Sequence, residues 1–319
     1  MGMALTIDQY ADYLQTRDLP WPAAPTIQPV RARPYLVELP HIRMITWNPY
    51  GTLLAIAGGE LWFEHPQSFL MDLALEKTVQ EFRMWKAMSR KPGQPSEYFR
   101  RMYLDVYHQQ RMKSSGGERF PELAADAIWQ ALIKKLLQKD YQFDAGFYGA
   151  LNEFSCKVAY FFHASLQGVA GLPGAADALR MVAGRGLRQG LLGSGQCFTR
   201  AQLRKSLKEQ GMSHQEALQV MDENVGGLSV EVGARPPSNT LFQHALASCE
   251  ECGVEPQQVL HIGSRLALDI APARRLGMRT ALLAHDKDAM DASPELWGKE
   301  ENRPDVLLTE PTQIGQVLG

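Results

Sequence analysis

The segment Ile45-Thr46-Trp47-Asn48-Pro49-Tyr50-Gly51-Thr52-Leu53-Leu54 constrains this chain more than any other. Apolar residues Met44, Ile45 and Trp47 give way to Asn48-Pro49-Tyr50-Gly51-Thr52, and apolar residues then resume. A buried parallel strand ending in a tight loop over the edge of its sheet has this pattern. Gly51 permits the turn, and Thr52 supplies a hydroxyl and a backbone N–H close to where an anion would sit. Asn48, at the strand end, has the shape of aspartate without its charge. A carboxylate there can perform nucleophilic substitution, whereas a carboxamide cannot easily attack.

The remaining pattern says what such a strand belongs to. Residues 1–40 read as an extension: a short amphipathic helix (Ile7, Tyr10, Leu14), then a stretch from Pro20 to Pro40 too broken to be a domain. The first core strand is 43–48. Residues 53–64 carry Gly58-Gly59 between two apolar runs, a hairpin signal. From 66 to about 165 the periodicity is helical. Leu70, Leu73, Ala74 and Lys77 open one helix, Phe82, Trp85 and Met88 continue an apolar face, and Pro92-Gly93-Gln94-Pro95 breaks it. Further helices read at 96–112, 121–138 and 146–167.

Strands and helices then alternate. Strands read at 187–193, 228–232, 258–263, 279–284 and 305–308, with helices at 175–185, 199–210, 213–222, 239–252, 267–277 and 310–318. Such alternation implies an α/β architecture with a doubly wound parallel sheet. The core is then 41–65 and 168–319, and 66–167 is an inserted helical cap domain. In such sheets ligands bind beyond the C-terminal strand ends, where Asn48 falls.

Composition narrows the functional classes. With 319 residues, 45% hydrophobic and 21% charged, the chain is long enough for a core domain plus an insert. A formal net charge of −2 without a Lys/Arg block argues against nucleic acid or an anionic membrane as main partner. No apolar stretch approaches the ~20 residues that span a bilayer, and the N-terminal residues lack the pattern of a signal peptide. Met1-Gly2, without further support after position 6, reads as an ordinary terminus rather than a myristoylation site. Four cysteines do not make a disulfide framework, so a reduced, cytoplasmic protein is expected. Cys249 and Cys252 form a lone C-x-x-C within a helix. They read as ordinary helix cysteines, a redox or metal role needing partners that the sequence does not offer.

Three further loops fall at strand ends. Ser194, in Leu191-Leu192-Gly193-Ser194-Gly195, suits a phosphate or carboxylate oxygen, and equally a plain serine turn. Arg235, in Gly233-Ala234-Arg235-Pro236-Pro237-Ser238, offers a fixed charge to an anion or is simply solvated; Ser238 or Asn239 would cap the following helix. His261 to Asp269 ends the strand 258–263, and Asp269 on the first helical turn either caps backbone N–H groups or approaches a metal.

In this order and spacing the four loops resemble the haloacid dehalogenase-like hydrolase superfamily, over about residues 43–318 and most closely at 43–54 and 258–284. The resemblance implies a Rossmann-like core with a cap. In that family the first loop reads Asp-x-Asp-Gly-Thr, nucleophile then general acid/base; those positions are Asn48 and Tyr50 here. Ser194 matches the second loop's Ser/Thr, and Arg235 replaces the third loop's Lys. Gly263, Ser264 and Asp269 stand for Gly-Asp-x-x-x-x-Asp. Gly277-Met278-Arg279-Thr280 resembles the family's next strand entry. Tyr at position 50, Ser at position 264 and the helical insert are similar to the metal-independent 2-haloacid dehalogenase branch, from which Asn48, Arg235 and Leu266 depart.

Those departures set the functional expectation. Mg²⁺ needs hard anionic oxygen, and with Asn48 and Ser264 in place of acids, Asp269 is the only acidic candidate ligand, so no metal cofactor is expected. Tyr50, with an ordinary pKa near ~10, is a weak acid at neutral pH. The expectation is a degenerate active site in an anion-binding or regulatory pseudoenzyme, with Thr52, Ser194 and Arg235 holding a small phosphate- or carboxylate-bearing ligand. The alternative is an active hydrolase of phosphatase or 2-haloacid dehalogenase type with altered residues. The cap aromatics Phe82, Trp85, Tyr98, Phe99, Tyr103 and Tyr107 read as helix core.

Overall fold

The computed structural model describes residues 3–87, 95–113, 117–291 and 293–319. Met1-Gly2, Met88 and Pro92-Gly93-Gln94, on which a terminus reading, an apolar face and a helix break rested, lie outside them.

Helix α1 (Ile7–Gln15) begins at Thr6, whose hydroxyl accepts from Gln9 N while the Gln9 side chain accepts from Thr6 N. This reciprocal capping satisfies two orphan donors of the first turn. Strand β1 (Met44–Trp47) follows, then β2 (Leu54–Ile56). A run of helices comes next: α2 (Ser68–Glu81), α3 (Pro95–Lys113), α4 (Ala125–Leu137), the single turn α5 (Ala145–Tyr148) and α6 (Leu151–Leu166). These helices and α1 share one apolar core, in which Trp129, Phe162, Phe154 and Tyr103 are fully buried. Burying each such ring contributes about 1.5–3 kcal/mol.

Then come β3 (Val169–Gly171), α7 (Ala175–Gly184), β4 (Arg188–Gly193), α8 (Thr199–Glu209), α9 (His214–Val220), β5 (Gly226–Leu228), the turn α10 (Ser229–Val232) and α11 (Asn239–Glu250). The chain closes with β6 (Val259–Gly263), a π-helical turn Leu266–Ile270, α12 (Ala271–Arg275), β7 (Arg279–Leu283), the turn α13 (Pro294–Trp297) and β8 (Val306–Leu308).

Six strands make one sheet in the order β5-β4-β1-β6-β7-β8, every pairing parallel. With helices on its faces, this is the expected α/β, Rossmann-like core. Strand β1 lies in the middle, Trp47 opposite Leu191 on one side and Ile262 on the other. Being covered on both faces, the strand reads as a nearly unbroken apolar run. Its Trp47 is fully buried, and the indole N–H donates to Gln189 Oε1 at 3.0 Å. Strand order reverses around β1, so the switch point and its crevice lie at the C-terminal end of β1. The extension closes the far edge: Tyr35 and Leu307 exchange two backbone hydrogen bonds of 2.9 Å, covering β8.

Several elements differ from expectation. Residues 53–64 do not form a hairpin: β2 pairs antiparallel with β3, Leu54 opposite Gly171. The strand expected at 228–232 is Gly226–Leu228, and 229–232 is a helical turn. The helix expected over 146–167 is broken at Gly149. The apolar face of α2 ends at Phe82, because Arg83 adopts a left-handed φ of 53°, and Trp85 is exposed. The helix expected over 267–277 opens as the π-helical turn, and 311–316 is a 3₁₀ segment.

Candidate functional site

Asn48 follows the last residue of β1, and its backbone N–H donates to Ile262 O at 2.9 Å, continuing the sheet. The side chain is 6% exposed. Its Nδ2 donates to Asp269 Oδ2 at 3.1 Å. On the other side Oδ1 is enclosed without a hydrogen-bond partner among the described residues. Gly193, at the end of β4, packs against it; a side-chain carbon there would come within 2.4 Å of Asn48 Oδ1.

Asp269 lies on the π-helical turn, and its carboxylate reaches back to the end of β6. Oδ2 accepts from Ser264 N at 2.9 Å and Arg265 N at 3.0 Å as well as from Asn48. Complete burial pushes its pKa up to about 6, against the opposing effect of those N–H groups and the nearby Arg265 charge. Of the two readings of Asp269 left open above, the geometry displays the first, a carboxylate holding backbone N–H groups. Ser264 is buried beside it, with its Oγ packed against Gly51.

Two loop residues point elsewhere than their sequence positions suggested. The Tyr50 hydroxyl donates to Gln202 Oε1 at 2.6 Å and lies 3.0 Å from Thr199 Oγ1, tying the loop to α8. Burial raises its pKa well above the ordinary phenol range, so it is a poorer acid than its residue type alone suggested. The Thr52 hydroxyl donates to the carbonyl of Asn48. Thr52 is fully buried and does not line the crevice, so the expected anion donor is a brace of the loop itself.

Asn48, Ser194, Arg235 and Asp269 do converge, on a cavity of about 530 Å³ beyond the strand ends. Ser194 and Arg235 are both exposed to it. Arg235 is anchored by its backbone N–H, which donates to Phe120 O at 2.8 Å. No ion pair joins its guanidinium among the described residues, although its charge lowers the burial-raised pKa of Glu122. Glu122 in turn accepts from Gln196 Nε2 at 3.2 Å.

Sequence reasoning missed the opposite wall. It consists of the segment after Gly59, with Trp62, Phe63 and His65, together with Tyr107 from α3. Tyr107, expected to be helix core, is half-buried: it packs against the helical core and also lines the cavity. Arg265 also lines the cavity, but Glu60 Oε2 at 3.2 Å and Gly59 O at 3.0 Å occupy its guanidinium. An aromatic pair beside adjacent glycines was the available sequence signal.

The residues present do not fit Mg²⁺. The strand-end position is a carboxamide, three N–H donors occupy Asp269 Oδ2, and Asn48 Oδ1 is sealed off. Among the described residues no group of three or more His, Cys, Asp or Glu side chains is placed to hold a metal ion.

No family model matches the sequence, and no curated protein matches it. Among solved structures, a 2-haloacid dehalogenase from Pseudomonas syringae pv. Tomato DC3000 superposes with a TM-score of 0.50 at 17% identity, over 86% of this chain and 96% of that one. An HAD phosphatase from Thermococcus onnurineus gives 0.45 at 17%, over 86% and 96%. An L-2-haloacid dehalogenase from Xanthobacter autotrophicus gives 0.43 at 16%, over 86% and 97%. Identities this low speak for the fold alone, and the first superposition carries it. The chain shares its overall α/β fold with that 2-haloacid dehalogenase.

Proposed function

We propose that this protein binds a small organic anion in the crevice beside Asn48 and does not carry out the covalent hydrolysis associated with its fold. One observation carries the reading: the Asn48 carboxamide donates to Asp269 at 3.1 Å at the strand end where a nucleophilic carboxylate would stand. A neutral amide whose nitrogen is committed to Asp269 and whose oxygen is buried has no charge and no exposed nucleophilic oxygen for attack. Loss of a nucleophile costs several powers of ten in rate. Arg235 supplies the attraction for the anion, and Ser194 a hydroxyl beside it. The four cysteines are all free thiols, which supports a reducing, cytoplasmic setting. No described helix is long and apolar enough to cross a membrane.

A second reading, an active hydrolase with altered residues, is favoured by one feature: Asp269 has its pKa raised to about 6 beside the cavity, where acid–base groups operate. Its burial and its three hydrogen bonds weigh against that role. A melting experiment tests the first reading. Inorganic phosphate without metal raises the melting temperature of the wild type, and Arg235→Ala abolishes the rise. No rise in the wild type contradicts anion binding. Mg²⁺-dependent cleavage of an aryl phosphate, or halide release from a 2-haloacid, establishes the second reading instead.

A further inference from the structure

A bare phosphate or acetate fills only a small part of a 530 Å³ cavity, a volume within the range that holds whole organic ligands. The cavity has two unlike ends. The core side is polar, with Ser194, Arg235 and the Asn48–Asp269 pair. The far side is aromatic, lined by Trp62, Phe63 and Tyr107, each half-buried.

This aromatic wall is held in place from behind. The Trp62 ring packs directly on Gly58, where a side-chain carbon would come within 2.0 Å of it. Its backbone N–H donates to Gln167 Oε1 at 2.7 Å, and Gln167 Nε2 donates to Ala57 O at 2.8 Å and Glu60 O at 2.9 Å. Gln167 is 3% exposed, so one buried amide fixes the whole segment. The Phe63 ring stacks on Tyr107 with centroids 5.9 Å apart and meets His163 edge-on at 5.5 Å. The Tyr103 hydroxyl donates to Phe63 O at 3.0 Å. Rings immobilised beforehand lose little side-chain entropy on binding, which makes a stacking contact effective.

The charge distribution orients an occupant. Glu60 and Glu64 lie on the same segment as the aromatic rings, and Glu60 is already paired with Arg265. Glu122 and Asp269 line the opposite end, and there Arg235, which acts on Glu122 without forming an ion pair to it, is the cation open to an anionic head, while a planar apolar body meets the rings. We infer that the crevice selects an aryl-bearing anion, its phosphate or carboxylate at Ser194 and Arg235 and its ring against Trp62, Phe63 and Tyr107. This inference rests on the anion reading given above and adds the chemical class of the ligand.

Calorimetric titration of the purified protein with phenyl phosphate, methyl phosphate and inorganic phosphate tests it. Phenyl phosphate is expected to bind about tenfold more tightly than methyl phosphate, the ratio that an aromatic contact supplies. It should also quench tryptophan fluorescence. Tyr107→Ala and Trp62→Ala should each remove most of that preference and leave the affinity for methyl phosphate within twofold of wild type, which also shows that the variants are folded. If phenyl and methyl phosphate bind equally well, the aryl inference falls and anion binding stands. If none of the three binds, both fall.

Discussion

Asn48 and Asp269, 221 positions apart in the chain, meet in a buried hydrogen bond of 3.1 Å at the floor of the crevice. The pairing needs one partner to be a donor. Amide and carboxylate satisfy that need at every pH at which Asp269 is ionised; two carboxylates would not.

Asn48→Asp therefore places two carboxylates within hydrogen-bonding distance in a buried site. One must hold a proton, so the pair titrates at a raised pKa, and its stabilising effect is lost as pH rises through that value. The variant should melt below wild type at pH 8 by several degrees and approach wild type near pH 5. Equal melting temperatures at pH 8 would show that the pair tolerates a second charge.

Asp269 itself contributes a pH dependence of known sign. Its folded pKa is raised to about 6, above the ordinary value near ~4. The folded state then holds the proton more tightly, so this group's contribution is full below pH ~4, declines as pH rises through about 6, and is constant above. Relative to wild type, Asp269→Asn should gain stability as pH rises across that window. Denaturant melts of both proteins at pH 4.5 and 7 measure the difference, and parallel curves would refute the shift.

Tyr50 is tied to α8 rather than to the crevice. Tyr50→Phe removes a hydroxyl that donates to Gln202 and neighbours Thr199, leaving buried groups unpaired. A loss of about 1–3 kcal/mol in unfolding free energy follows, with phosphate affinity unchanged. Weakened phosphate binding without loss of stability would place the hydroxyl in the ligand site.

The N-terminal helix fastens the cap side to the core. Asp8 on α1 takes both prongs of Arg204 on α8, each at 2.9 Å. The same helix buries Tyr10 edge-on against Tyr148 and Tyr160. Arg204→Ala should cost about 1–2 kcal/mol and speed proteolytic cleavage between 16 and 40. Unchanged cleavage would mean that the aromatic contacts alone hold the helix.

Much of this architecture was legible because parallel strands covered on both faces leave largely apolar runs, as at 45–47 and 259–263, each interrupted once by a polar residue, Thr46 and His261. Strand β5 was misplaced because Gly226 and Gly227 lack the branched side chains that mark strands. The pairing of β2 with β3 was hidden for a different reason: an apolar run shows that a strand exists, not which distant segment accepts its hydrogen bonds. Within the site, Asn48, Ser194, Arg235 and Asp269 were readable from loop order. Thr52 and Tyr50 were not, because a hydroxyl's partner is settled by rotamer and packing. Trp62 and Tyr107 reach the crevice from separate segments, a convergence that no local pattern records.

The central claim is that Asn48 performs no covalent chemistry, and intact-mass spectrometry tests it most directly. Wild-type protein incubated with an aryl phosphate, and separately with a 2-haloacid, should keep its unmodified mass while neither compound is consumed. A mass increment mapping to the peptide spanning 44–53, or turnover by the purified wild type, would contradict the account.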